Sequence, residues 1–126
     1  MTNSSEQETR LRIPRSDVQV RLQKQIDEGE YLIKMPIPDE HQFKLAEEAM
    51  ESWYDYTKDP LLKLFSTDKM HREFIWSVRA FGMHLTFPQR VQEFHQHLDR
   101  RLNTLRSIVR RLELFEEDTQ TGYNKS

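Results

Sequence analysis

The chain contains no cysteine. That excludes disulfide stapling, thiolate nucleophiles and cysteine-based zinc ribbons, and it suits a reducing, cytoplasmic setting. Glycine is scarce: three residues, beside five prolines, in a chain of 126. Tight hairpins and glycine-rich phosphate or oxyanion loops need more than that, and the Gly-x-Ser-x-Gly elbow of many serine hydrolases is missing. No apolar run approaches the roughly 20 residues of a membrane-spanning helix. Met1 to Arg15 lacks the apolar stretch of a secretory signal. An excess of one charge is also lacking. The 19 basic and 21 acidic side chains leave a net charge of −2, so no global field draws in nucleic acid or an anionic membrane.

What is present is large and well spaced. Seven Phe, four Tyr and two Trp are too many aromatics for a disordered chain, and the length fits one domain. Residues 1–15 read as a disordered arm, 16–115 as a helical bundle domain and 116–126 as a polar tail or linker. Ser16, with Gln19 three residues on, has the pattern of a capping box. Val18, Leu22, Ile26, Gly29 and Ile33 then form one helical stripe. Gly29 within that stripe suits the close approach of another helix. Met35-Pro36-Ile37-Pro38 must break the helix, and Asp39 caps the next, whose inner stripe is Phe43, Ala46, Met50, Trp53 and Thr57. Asp59-Pro60 reads as a fresh helix start, with Leu61, Leu62, Leu64 and Phe65 buried behind it. Ser66-Thr67-Asp68 caps a further helix bearing Met70, Phe74, Val78 and Phe81.

Gly82 to Pro88 reads as a loop or kink. The last helix then runs from Pro88 to Phe115, with Val91, Phe94, Leu98, Leu102, Leu105, Val109 and Leu112 close to a heptad repeat. The fold class is all-α: an irregular bundle of about five helices scaffolded on a long C-terminal helix.

Candidate chemistry is thin. His95 and His97 are two apart on a helix and point to different faces. Glu93 and His97 share a face, but two ligands do not close a metal site. Glu47, Glu48 and Glu51 make a solvated acidic face. No metal and no cofactor is expected. Two Arg-x4-His spacings, Arg79 with His84 and Arg90 with His95, resemble the ribonuclease motif of the HEPN families. The resemblance implies an Arg stabilising phosphate charge and a His moving a proton, although Ala80 and Val91 stand where those sites carry a polar residue. Arg90, Arg100, Arg101, Arg106, Arg110 and Arg111 line the last helix and could follow a phosphate backbone. A solvated or partner-facing surface is the preferred reading of them.

A longer resemblance covers Val18 to Leu114. Its residues are Leu22, Ile26, Gly29 and Leu32-Ile33, Trp53 ahead of Leu61-Leu62 and Phe65, then Phe74, and the closing Leu102, Leu105, Ile108 and Arg111-Leu112-Glu113-Leu114. This is similar to the helical N-terminal region of bacterial predicted nucleotide-binding proteins with a TIR-like domain, which are linked to anti-phage defence. The NAD-cleaving domain of that family has no counterpart here, so no catalytic residue carries over. The resemblance implies an accessory role: a non-catalytic interaction or oligomerisation domain, its partner a second copy or a TIR-like effector. A ligand or nucleic-acid sensor is the alternative, which an aromatic-lined pocket near Trp53, Trp76 and Tyr54 would favour. Self-association is expected through Leu105, Ile108, Val109, Leu112 and Phe115, where the apolar arc of the last helix widens. The competing expectation is that the first helix covers that arc within one chain.

Overall fold

The computed structural model describes residues 8–77 and 85–118. Over these the chain forms four α-helices and no strand: α1 (Arg15–Ile33), α2 (Glu40–Lys63), α3 (Lys69–Ile75) and α4 (Phe87–Arg110), then a 3-10 turn at Leu112–Leu114. The class is all-α, as the periodicity requires. Among the described residues no helix is long and apolar enough to cross a membrane.

The helix count differs from the expected five because Pro60 does not start a helix; it lies inside α2. The proline has no N–H to give the Tyr56 carbonyl. Tyr56 is on the solvent side of the helix, where water can supply the missing bond. The Pro60 carbonyl still accepts from Leu64 N at 2.8 Å, so the helix turns on undisturbed beyond it. Leu61, Leu64 and Phe65 are buried as expected, but Leu62 faces solvent.

The last helix is also not the scaffold. At 24 residues α4 matches α2 in length, and it stops at Arg110 rather than Phe115. The central element is α1, which lies against α2 on one side and α4 on the other. Gly29 makes that position possible. A Cβ built there would come within 2.5 Å of Leu102 Cδ2 on α4 and 2.8 Å of Trp53 Cζ2 on α2, distances no side chain tolerates without displacement. Trp53 is held in place by its indole N–H, which donates to the buried Gln25 carbonyl at 2.8 Å. Thr57 Oγ1 sits 2.7 Å from the Trp53 carbonyl and 2.9 Å from Gln25 Oε1, so the polar groups under α1 are not left bare.

The polar arm expected over residues 1–15 needs correction from Thr9 onward. Leu11 is fully buried. Its N–H donates to the Glu116 carbonyl at 2.8 Å, its carbonyl accepts from Asp118 N at 2.6 Å, and Arg12 N donates to the Leu64 carbonyl at 2.9 Å. Arg15, the first residue of α1, donates from Nε to the Leu112 carbonyl at 3.0 Å and from Nη2 to the Phe115 carbonyl. Glu116 to Asp118, expected in the polar tail, is therefore paired as well. The sequence signal was Leu11 and Ile13 alternating with Arg10 and Arg12, the period of an extended strand rather than of a helix.

The caps divide in the same way. Asp39 caps α2 by accepting from Gln42 N at 2.8 Å. Ser16 caps nothing, since α1 begins at Arg15 with the Pro14 carbonyl taking the first amides. The full capping box is at Thr86 and Gln89 at the start of α4.

Candidate functional site

The Arg-x4-His reading at Arg90 and His95 does not form a site. Arg79 and His84 lie outside the described residues. Arg90 pairs with Glu40 at 2.5 Å and lies over the rings of Phe43 and Phe87. His95 is edge-on to Phe94 and lines a different groove with Ile33, Val91 and Asp99, one that Arg90 does not reach. Five positions along a helix separate two side chains by about 140°, and α4 runs unbroken through both residues. Among the described residues no group of three or more His, Asp or Glu is placed to hold a metal ion.

The proposed phosphate-tracking arginines are mostly occupied. Arg106 pairs with Glu30 at 2.8 Å and Arg111 with Glu73 at 2.5 Å. Arg101 stacks on Tyr54, its guanidinium carbon 4.1 Å from the ring centroid, while Tyr54 stacks in turn on Phe74. Burial lowers the pKa of Arg101, and the neighbouring Tyr54 works against that shift. One turn earlier His97 is buried on the same helix face. Desolvation pulls its pKa down most; Glu93 opposes this, and Arg101 and Arg100 add to it.

The interface residues expected on the last helix are core residues. Leu105 and Ile108 are fully buried and Leu112 nearly so, while Val109 and Phe115 are half-buried against the same core. Phe115 sits edge-on to Phe65 at 5.8 Å. The first helix and the Leu11 segment cover the apolar arc from within the chain, so it is not free to bind a second copy.

The aromatic surface that is exposed lies elsewhere. Trp53, Tyr54 and Trp76 do not converge: Tyr54 is under Arg101, and Trp76 stands in solvent at the end of α3. Instead, a groove of about 480 Å³ opens between α1 and α2. Its floor is Trp53, Leu32 and Ala49, and Tyr31 and Tyr56 flank it with Ser52. Both tyrosines are 72% exposed, against 4% for Trp53. Lys24, Asp27 and Glu28 complete the lining. The helical spacing of Lys24, Asp27 and Tyr31 places them on one face of α1, and that of Ala49, Ser52 and Tyr56 on one face of α2. Both stripes were present in the sequence, but small and charged residues beside tyrosines look like an ordinary solvated face until two helices are set side by side. In comparisons with family models, with curated proteins and with solved structures, nothing matches this chain.

Proposed function

We propose that this chain is a non-catalytic interaction domain, an accessory module that binds a neighbouring domain or protein through the α1/α2 groove. The observation that carries the reading is the pair of solvent-exposed tyrosines, Tyr31 and Tyr56, standing over a buried tryptophan. Tyr and Trp of this kind dominate the energetics of protein contacts, and a folded chain gains nothing by leaving them bare. Of the Arg-x4-His residues that suggested catalysis, the pair within the described residues is engaged separately, Arg90 with Glu40 and two phenylalanine rings and His95 with Phe94. The resemblance to the helical region of anti-phage TIR-like effectors supports the same role, and it suggests a TIR-like domain or protein as the neighbour. The volume of the groove, within the range of small-molecule sites, supports a second reading as a ligand sensor.

The test pairs the chain with the protein encoded beside it. Sedimentation should show a complex that the Tyr31→Ala/Tyr56→Ala variant no longer forms, while the chain alone leaves RNA and NAD intact. A complex indifferent to both tyrosines, or none at all, rejects the groove as the contact surface.

A further inference from the structure

We infer that the groove between α1 and α2 receives a basic segment of a partner protein, with an apolar side chain over Trp53 and a Lys or Arg beside Asp27. This rests on the reading of the groove as the contact surface. Its form favours a chain segment over a small molecule. Small ligands commonly bury 70–90% of their surface, and walls as exposed as Tyr31 and Tyr56 do not enclose one. A segment brings its own surface and needs only a floor and two anchors.

Charge sets the sign. At the rim, Lys24 and Glu28 offset each other at 3.8 Å. Asp27 accepts only from the neutral Gln23 amide, at 3.0 Å, and pairs with no cation among the described residues. The rim therefore keeps a negative charge. The surroundings extend it: with Glu40, Asp55 and Asp59 paired to Arg90, Lys58 and Lys63, α2 still carries Glu47, Glu48 and Glu51 against Lys44. A segment with basic residues meets attraction along this helix. Ring chemistry points the same way, because Tyr31 and Tyr56 are exposed and the face of a tyrosine ring attracts cations. The methylene stems of Lys and Arg can also lie along an apolar floor while their heads stay in water. The floor is ready-made, since the Trp53 indole is already oriented by its bond to Gln25.

Phage-displayed random peptides, selected on the full chain and counter-selected on Tyr31→Ala/Tyr56→Ala, test this directly. Both tyrosines are exposed, so that variant should keep its circular dichroism. The expected winners carry an apolar residue flanked by Lys or Arg. Their affinity should fall about tenfold or more on losing the tyrosines, as for contact hot spots, and should weaken with Asp27→Asn and with rising salt. Acidic or neutral winners that still require the tyrosines would overturn the charge inference and leave the groove standing as a contact surface. Binding indifferent to the tyrosines, or no enrichment, would overturn both. A chain that sediments as a dimer and is dissociated by Tyr56→Ala would give the groove to a second copy, which also overturns the inference.

Discussion

Two residues carry consequences out of proportion to their size. Gly29 is the point where three helices meet. Replacing it with alanine should gain about 1 kcal/mol of helix propensity but lose about 1–3 kcal/mol to overpacking, because the Trp53 ring is held by its hydrogen bond and cannot retreat freely. The expected net effect of Gly29→Ala is a lower urea midpoint, and an unchanged or raised midpoint would show that Leu102 and Trp53 yield easily. His97 makes the protein sensitive to acid. Burial holds its imidazole below the ordinary value of 6.5, so on acidification the unfolded chain takes up this proton before the folded one does. The stability it contributes is complete above about pH 6.5 and is lost progressively as pH falls below that. Urea titrations at a series of pH values should show the decline, and His97→Gln should flatten it.

At the scale of elements, the spacing of apolar residues was legible and the ends of helices were only partly so. The stripe through Val18, Leu22 and Ile26 and the one through Phe43, Ala46 and Trp53 follow directly from the 3.6-residue period, and both are buried. Asp39 capped where its chemistry said it would. Asp59-Pro60 misled because the local signal for a helix start is the same whether or not a helix is already running, and the packing of Trp53 and Thr57 before it and of Leu61 and Leu64 after it keeps the helix running. Leu11 was hard to place because the alternation of Leu11 and Ile13 with Arg10 and Arg12 is only four residues long, and its burial depends on two segments far away in the chain. The binding groove was illegible for a related reason, since it belongs to neither helix alone. Pro60 yields a prediction at this scale. Pro60→Ala restores the N–H to the Tyr56 carbonyl and relieves part of the roughly 3 kcal/mol cost of an interior proline, but it also frees the unfolded chain by up to about 1 kcal/mol. Thermal melts should show the variant stabilised by about 1–2 kcal/mol, and a loss of stability would mean that the proline ring packs better than its backbone costs.

For the whole molecule, the main lesson concerns the last helix. A seam from Val91 to Leu112 looks like an interface when the helix is considered alone, and it is a core once α1 lies along it. Ile108→Glu separates the two cases. A buried, unpaired carboxylate costs several kcal/mol, so the variant should lose helicity and melt early instead of simply changing its mass in light scattering. The pairing of Leu11 with Glu116 and Asp118 has one more consequence. The two segments run parallel, so the backbone enters the folded body at one end of the pair and leaves it at the other. Parallel segments can be joined only by a crossover of about a dozen residues or more. A circular permutant opened between Lys34 and Pro38 and closed by a short linker should therefore lose the Leu11 pairing and melt earlier than one closed by a long linker.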